Sequence, residues 1–216
     1  MFIKKKLVPL SAAVLCSAFL MQSAIAADWL VRGRIINVSP DDSSTQVPTV
    51  AGSGVSVDSD TTLELDFTYM LSKNIGLELI LATTKHDVTG TGPLAGADVS
   101  NVRVLPPTLT LQYHFAPKAT LRPYVGVGLN YTVFYNAKLG AALVANGATD
   151  IDYDNSVGLA AQAGLDVDIN KDWFVNLDVK YIKIDTTATI TGGALAGAVN
   201  VDINPWVVGV GIGTRF

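Results

Sequence analysis

The chain has 216 residues, of which 15 are Lys or Arg and 19 are Asp or Glu, giving a formal net charge of −4. Without the three N-terminal lysines at positions 4–6, 12 basic residues remain against 19 acidic ones, a net charge of −7. We expect no nucleic-acid partner, because nucleic acid requires a basic surface. The one cysteine, Cys16, lies in the same N-terminal segment, so the mature chain is expected to have no disulfide and no thiol nucleophile.

Residues 1–26 have the pattern of a secretory signal peptide. Three lysines precede an apolar run over residues 7–20, and Ala24 and Ala26 form a small–x–small cleavage site. The run is short for a transmembrane anchor and no stop-transfer charges follow it. A lipoprotein would carry its lipid on Cys16, but Leu15 stands where a lipobox has a small residue. We therefore predict a signal peptide over 1–26 and an exported domain over 27–216.

Apolar residues recur with a period of two in eight segments of the exported part, which is the pattern of strands with two different faces. The predicted strands are residues 28–38, 61–71, 75–83, 102–115, 121–135, 156–169, 173–185 and 203–216. One row of each strand is apolar and nearly free of charge; Lys183, near a strand end, can extend to the interface. A charge at a bilayer midplane costs roughly 2–4 kcal/mol, so we expect this row to face lipid.

The connections between these segments alternate between short and long. Short ones are residues 72–74, 116–120 and 170–172, and long ones are 39–60, 84–101, 136–155 and 186–202. Outer-membrane barrels have short periplasmic turns and long extracellular loops. We therefore predict an all-β fold: an eight-stranded antiparallel transmembrane β-barrel in the outer membrane with both termini in the periplasm. The alternative, a secreted sandwich or soluble lipocalin-like barrel, would bury the apolar rows in a protein core.

The final strand ends on an aromatic residue, Phe216, which fits a barrel strand that closes the sheet at a lipid interface. We expect the barrel-assembly machinery to recognise this residue. Further aromatic residues lie near both predicted interfaces, as aromatic girdles do. They are Trp29, Tyr69, Tyr113, Phe115, Trp173 and Phe216 at one end and Tyr131, Tyr135, Tyr181 and Trp206 at the other.

The predicted inward row changes character along the barrel. A charge network is expected in the periplasmic half, where both signs must pair in a narrow lumen: Arg32, Asp66, Glu78, His114, Arg122, Asp166, Asp168 and Arg215, with Gln112 beside them. An apolar channel lining is expected in the outer half: Ile36, Val38, Ile80, Ala82, Phe134, Ile182, Ile184 and Val207. Arg34, Glu64, Asp178 and Lys180 lie between. The pattern predicts a blocked floor below an apolar funnel, or alternatively a small packed core.

Two prolines interrupt the fourth segment, and neither can donate to the hydrogen-bond ladder. Pro106 and Pro107 therefore predict a lateral gap or bulge near the outer end of the barrel wall. The loop segments 139–145 and 194–199 are unusually apolar, which indicates either an interaction site or packing within the loops.

Sequence motifs for other chemistry are weak. His86 beside Asp87 is the only candidate for a base in a lipid-modifying enzyme. Asp150, Asp152 and Asp154 resemble the start of a calcium loop, but the required glycine and glutamate are replaced by Asn155 and Ala161. We expect no metal, no cofactor and no enzyme activity. Lys85, Arg103 and Lys138 are candidates for contact with lipopolysaccharide phosphates.

Several short runs together resemble the outer membrane protein W family, which includes the alkane-uptake protein AlkL. They are LDFTYM at 65–70, NIGLEL at 74–79, LPPTL at 105–109, RPYVG at 122–126 with Asn130 and Tyr131, DWFVN at 172–176, IDTT at 184–187, and 205–216. The resemblance spans the mature chain in order. It implies an eight-stranded barrel with a hydrophobic channel that releases small apolar molecules sideways into the membrane. Thr214 stands where the family more often has an aromatic, and the loops diverge too far to transfer gate residues.

Two functions are consistent with these patterns. The first is a passive outer-membrane channel that takes up small hydrophobic molecules through the apolar funnel and releases them laterally. The second is a structural or interaction barrel with a plugged lumen, whose loops bind lipopolysaccharide, phage, bacteriocin or partner proteins.

Overall fold

The computed structural model describes residues 29–216, so the predicted signal peptide lies outside the described residues. None of the helices in residues 29–216 is long and apolar enough to cross a membrane. The strands in chain order are β1 (Trp29–Ser39), β2 (Ser43–Ser44), β3 (Gly54–Val57), β4 (Asp60–Met70), β5 (Ile75–Ala82), β6 (Thr84–Thr91), β7 (Asp98–Leu105), β8 (Thr108–His114), β9 (Leu121–Leu139), β10 (Asp150–Tyr153), β11 (Ser156–Asp168), β12 (Trp173–Ile182), β13 (Asp185–Thr191), β14 (Gly197–Asp202) and β15 (Trp206–Arg215). A 3₁₀ turn (Gly92–Leu94) and the short helix α1 (Ala141–Ala145) complete the fold.

Eight of these strands form a closed antiparallel barrel, which confirms the predicted fold. The order around the wall is β1, β4, β5, β8, β9, β11, β12 and β15, and β15 pairs with β1 to close it. Three short turns lie at one end, called here the turn end. The opposite end, called the loop end, carries the long connections.

As predicted from the period-two pattern, the apolar row of each barrel strand faces outward and the alternate row faces the lumen. Along β4, Leu63 is 73% exposed on the outside, whereas the neighbouring Glu64 is 3% exposed on the inside. The outer row consists mostly of large apolar side chains that have no protein partner, because the barrel wall is one sheet thick. Such a surface is stable in contact with lipid and not with water.

Two glycines on the inner face make room for large aromatic side chains. A Cβ added at Gly164 would lie on the ring of Tyr124, and one added at Gly213 would lie on the ring of Phe174. Tyr124 and Phe174 are 1% and 0% exposed. The narrow lumen of an eight-stranded barrel is thus filled by large side chains set against small ones.

Beyond the loop end, the wall continues as two separate sheets, which the sequence analysis treated as loops. Strands β10, β13, β14 and β2 form one sheet, called here the β13 half-shell. Strands β3, β6, β7 and residues 133–139 of β9 form the other, called the β6 half-shell. The predicted long connections are present, and they contain paired strands that the sequence analysis did not identify.

Several strands continue directly from the barrel into the half-shells. Ser39 pairs with Trp206. Five residues later, Ser44 pairs with Val201, which precedes Trp206 by five residues, so β2 and β14 keep the register of β1 and β15. This continuity explains why a single predicted strand over 102–115 is wrong: β7 and β8 are two strands in one line, separated at Pro106 and Pro107. The other predicted barrel strands agree with the structure within four residues at each end.

Candidate functional site: an apolar cavity above an ion-paired floor

An enclosed apolar cavity of about 90 Å³ lies between the two half-shells, at the loop end of the barrel. All eight residues of the predicted channel lining border it. Other lining side chains, which the sequence analysis did not assign to the channel, come from the half-shells and the segments that join their strands: Val47, Val57, Val88, Val99, Leu143, Ile151, Ile190 and Val199 are among them. Glu64 is the one charged side chain among the described lining residues, and it lies at the floor.

The apolar loop segment 139–145 forms the roof of this cavity. Part of the segment is helix α1, whose Leu143 is 1% exposed and packs with the buried residues of both half-shells, whereas Val144 is 58% exposed. Leu143 stabilises the closed position of helix α1 over the cavity mainly because its apolar surface is removed from water. The roof therefore closes the cavity by apolar contact.

The floor is a layer of buried ion pairs centred on Arg34. Its guanidinium lies 2.6 Å from Glu64 Oε1 and 2.6 Å from Asp66 Oδ2, with Glu78 at 3.4 Å. Lys180 Nζ bridges Glu64 Oε1 at 3.0 Å and Asp178 Oδ1 at 2.5 Å. These side chains are at most 2% exposed. The residues that the sequence analysis placed between the two halves thus form the upper surface of the floor.

A second layer lies nearer the turn end and includes the remaining predicted network residues. Arg32 pairs with Asp66 at 3.1 Å and with Asp166 at 3.0 Å, and all three side chains are fully buried. Arg122 pairs with Asp168 at 2.5 Å, and Arg215 also pairs with Asp168. His114 lies beside this layer, where Nε2 is 3.0 Å from Gln112 Oε1.

Three uncharged side chains that the sequence analysis did not single out also belong to this charge network. The Tyr124 hydroxyl donates to Asp178 Oδ2 at 2.8 Å, and Asn176 Nδ2 donates to Asp166 Oδ1 at 2.8 Å. Phe174 lies among three guanidinium groups, those of Arg32, Arg122 and Arg215, at 5.1–5.5 Å from the ring centroid. Each of the three lies an even number of residues from Arg122 or Asp178 on the same strand and therefore points into the lumen. This alternation could have identified them from the sequence.

Because the floor side chains are buried and paired, the described lumen offers no water-filled passage through them. Breaking such a pair would leave a charge without compensation in a medium of low polarity. The arrangement therefore separates the apolar cavity from the turn end.

The two half-shells meet along a seam near Tyr153, where side chains replace the backbone ladder. The Tyr153 hydroxyl lies 2.6 Å from Ser100 Oγ, and its ring stacks on Phe134 with centroids 5.8 Å apart. Burial raises the pKa of the Tyr153 hydroxyl, while the hydrogen bond to Ser100 lowers it. A second seam lies between β2 and β3, where Ser44 Oγ accepts from the Val55 N–H at 2.8 Å. Few hydrogen bonds cross these two seams, and a shared cluster of buried apolar side chains also joins the half-shells.

The prolines predicted to form a lateral gap lie at a one-sided break in the wall. Ile80 pairs with Thr108, and four steps further Thr84 pairs with Val104, but residues 81–83 are unpaired with 105–107. On the other side the wall is intact, since Tyr131 N–H donates to Pro107 O at 3.0 Å. Ile80, Ala82, Val104 and Pro106 border both the break and the cavity. On its outer side, Thr83 Oγ1 and the Tyr135 hydroxyl lie 2.6 Å apart and bridge the break.

The structure also shows where the candidate base, the candidate calcium ligands and two of the candidate lipopolysaccharide contacts lie. Both ring nitrogens of His86 are already bonded, Nδ1 to Asp58 O at 2.6 Å and Nε2 to Thr84 Oγ1 at 2.8 Å, and Asp87 instead pairs with Lys85. Asp150 and Asp152 lie in β10, and no group of three potential ligand side chains within residues 29–216 could hold a metal ion. Lys85 and Arg103 are cross-strand partners on β6 and β7.

Comparison with known proteins identifies the family. The profile of the OmpW family matches residues 26–216. The chain belongs to the OmpW family. Outer membrane protein W of Vibrio cholerae is 40% identical over 193 residues, covering 88% of each chain. The crystal structure of the outer membrane protein OprG from Pseudomonas aeruginosa superposes with a TM-score of 0.82 at 37% identity, covering 88% of this chain and 96% of that one.

A more distant relative has a name that refers to a metabolic operon. The dibenzothiophene metabolism operon protein PahQ of Pseudomonas aeruginosa is 28% identical over 194 residues, covering 87% of this chain and 88% of that protein. Members of this family are outer membrane barrel proteins, and this OmpW-family barrel shares their fold.

Proposed function

We propose that this OmpW-family barrel is a passive channel through which small hydrophobic molecules enter the outer membrane, and that it has no catalytic role. The observation that carries the proposal is the apolar cavity of about 90 Å³ directly above a buried, ion-paired floor. A molecule in this cavity meets apolar side chains on its walls and charged groups only below it. We further propose that the loop end faces the exterior and the turn end the periplasm, as short turns and long loops do in related barrels.

The cavity fits a transient substrate better than a permanent one. An apolar protein cavity of about 150 Å³ binds benzene, so the cavity of about 90 Å³ here is too small for such a ligand until the half-shells separate. Burial of each substrate CH₂ contributes roughly 0.8 kcal/mol, which concentrates a medium-length chain without retaining it. We infer that admission requires opening of the seam at Tyr153.

The floor determines the direction of exit. An apolar molecule gains nothing by displacing the Arg34 and Lys180 ion pairs, because a buried charge that loses its partner costs several kcal/mol. The break beside Pro106 and Pro107 borders the cavity on one side and the lipid-facing residues Leu81 and Leu105 on the other. Lateral release at this break therefore takes the substrate from one apolar environment to another.

The name of the relative PahQ supports this substrate class. Dibenzothiophene is an apolar aromatic compound, so a family member named after its metabolic operon is consistent with a hydrophobic substrate. Similarity of 28% does not transfer the compound itself, so our proposal for this chain is confined to small hydrophobic molecules.

The direct test is whole-cell conversion of an alkane or fatty acid methyl ester by an intracellular oxygenase, with and without this protein. Cells that carry an inert eight-stranded barrel at equal abundance are the control. We expect conversion to rise several-fold above that control. If correctly inserted protein produces no increase, the channel is excluded and the alternative, an interaction barrel with a plugged lumen, replaces it.

Tyr153→Phe is expected to increase the uptake rate. The variant removes the Ser100–Tyr153 hydrogen bond but keeps the ring that stacks on Phe134. A hydrogen bond of about 1 kcal/mol corresponds to roughly a fivefold change in the open population, so uptake should rise by about two- to fivefold. Ser100→Ala should have the same effect, and the double variant should add nothing further. Unchanged or slower uptake in both single variants would contradict opening at this seam.

Pro106→Val combined with Pro107→Val is expected to slow release. Valine restores a backbone N–H at both positions. Since the Pro107 carbonyl faces β9, where it accepts from the Tyr131 N–H, the new N–H at position 106 is the one that can pair with residues 81–83 across the break. We expect uptake to fall by about fivefold or more while the barrel still inserts, since each new ladder bond is worth about 1 kcal/mol.

Tyr135→Phe provides the opposing variant at the same place. It removes the Thr83–Tyr135 link across the outside of the break without altering the backbone, so it should speed uptake. If the proline double variant and Tyr135→Phe both leave the rate unchanged, the exit does not lie at this break.

A further inference from the structure

The turn end of the lumen opens into a vestibule of about 750 Å³ whose charged lining is entirely basic. Lys73, Lys118, Arg122 and Arg215 line it together with His114, and none of the described lining residues is a carboxylate. The charge network above accounts for the floor of the apolar cavity but assigns no role to this vestibule.

The carboxylates behind the vestibule are shared and leave positive charge in excess. Asp168 is the common partner of Arg122 and Arg215. Asp166 lies 3.7 Å from Arg122 Nη2, but both of its oxygens already accept hydrogen bonds from Arg32, at 3.2 and 3.0 Å. Two guanidinium groups thus compete for one carboxylate at the wall of the vestibule.

Two N–H groups on these arginines have no hydrogen-bond acceptor within the described residues. Arg122 is 4% exposed, and its Nη2 and the Nε of Arg215 are buried without a hydrogen-bond partner. Buried donors are rarely left unpaired, and charged donors least of all. The two atoms are shielded from solvent, but they belong to the two side chains that line the vestibule, so the positive charge of this arginine pair is incompletely compensated at its wall.

The two lysines add positive charge at the rim of the vestibule. Lys73 lies in the turn between β4 and β5, and Lys118 lies in the turn between β8 and β9. Neither forms an ion pair with any side chain in residues 29–216, whereas exposed Lys85 and Lys183 lie 3.2 and 3.1 Å from neighbouring aspartates. A concave site with charges of one sign and a wall of low polarity raises the local concentration of opposite ions.

We propose that this vestibule binds a phosphate group. A phosphate carries several acceptor oxygens on one compact centre, so it can accept from Arg215 and both lysines at once and compensate the excess charge of the arginine pair. A soluble phosphate ester in the periplasm and a phospholipid headgroup at the membrane surface present the same chemistry. The phosphate site itself does not depend on the proposed orientation of the barrel in the membrane. Only the compartment that supplies the ligand depends on that orientation.

Titration of the purified barrel in a detergent with an uncharged headgroup tests the site without any uptake measurement. Inorganic phosphate is added at constant ionic strength while NMR follows the arginine side-chain Nε–H signals, and acetate serves as the comparison anion. We expect saturable shifts of the Arg122 and Arg215 signals with phosphate and weaker ones with acetate.

A double variant on the turns tests the lysines without disturbing the buried network. Lys73→Gln with Lys118→Gln should lower the affinity for phosphate by about tenfold, because each exposed charge contributes up to roughly a fivefold change in affinity. Lys171→Gln is the matched control, since Lys171 lies on the third turn, is 90% exposed and does not line the vestibule. Its affinity should equal that of the parent protein.

The source of the phosphate is resolved in nanodiscs. If phosphatidylglycerol nanodiscs suppress the phosphate response and phosphatidylcholine nanodiscs do not, the ligand is an anionic lipid headgroup; equal responses assign the site to a soluble phosphate. The proposal is overturned if phosphate causes no saturable shift, or if the lysine double variant binds phosphate as well as Lys171→Gln does. Neither result bears on hydrophobic uptake, which the binding assay does not measure.

Discussion

Ile182→Arg is expected to reduce uptake of an apolar substrate by about tenfold or more, the equivalent of roughly 1.4 kcal/mol. Ile182 is 5% exposed and borders the apolar cavity one inward position above Lys180. An arginine there fills part of a cavity of only about 90 Å³ and introduces a charge where an apolar molecule must lie. Burying an unpaired charge beside such a molecule costs several kcal/mol. The oxygenase-coupled conversion rate in whole cells measures the effect.

Ile182→Met is the matched control for this substitution. Methionine keeps an apolar side chain of similar volume, and exchanges of this kind cost little in packed cores. We expect Ile182→Met to retain most of the uptake rate, with both variants inserted to the same level in the outer membrane. If Ile182→Arg supports the parental rate at equal abundance, apolar molecules do not pass through this cavity.

The barrel could be predicted from the sequence because lipid and lumen impose a strict period of two. In β4, the alternation of Leu63 and Leu65 with Glu64 and Asp66 assigns the two faces without any knowledge of neighbouring strands. The same parity places Arg32 and Asp66 inside, and the structure pairs them at 3.1 Å. Strand number and face follow from local pattern, since each strand must satisfy both environments by itself.

The half-shells could not be predicted in the same way. Their strands lie outside the bilayer, so the requirement for an apolar outer row ends. The buried face of β13 carries only Thr186, Ala188 and Ile190, and that of β14 only Val199 and Val201, so neither strand has a long apolar row. Their register comes from the barrel strands that they extend, as β2 and β14 extend β1 and β15. Because the register of these strands is set by the neighbouring barrel strands, the sequence of the half-shell segments alone does not reveal it.

The centre of the floor shows a further limit of sequence reasoning. Parity indicates that Arg34, Tyr124 and Asn176 point inward, but only the three-dimensional stagger of the strands brings positions 34, 124 and 176 together. Charge counting alone pairs acids with bases and overlooks a tyrosine and an asparagine that satisfy the remaining donors and acceptors. Buried ion pairs need such additional hydrogen bonds to be stable.

Asp66→Asn is expected to lower the free energy of unfolding by about 3–5 kcal/mol, the cost of removing one partner from a buried ion pair. Asp66 accepts from Arg32 at 3.1 Å and from Arg34 at 2.6 Å, and all three side chains are fully buried. Asparagine keeps the size and shape of the side chain, so the loss reports on charge and not on a cavity. Urea unfolding of the barrel in lipid vesicles, followed by tryptophan fluorescence, measures it.

Asp172→Asn is the matched control, because Asp172 lies on a turn, is 53% exposed and is 3.9 Å from Lys171. The same chemical change there should alter the free energy of unfolding by no more than about 0.5 kcal/mol. Combining Asp66→Asn with Arg34→Met removes both members of the Asp66–Arg34 ion pair, so the double variant should be less destabilised than the sum of the two single ones. If Asp66→Asn is as mild as Asp172→Asn, water reaches the floor, and the ion pairs do not form the barrier that directs substrates sideways.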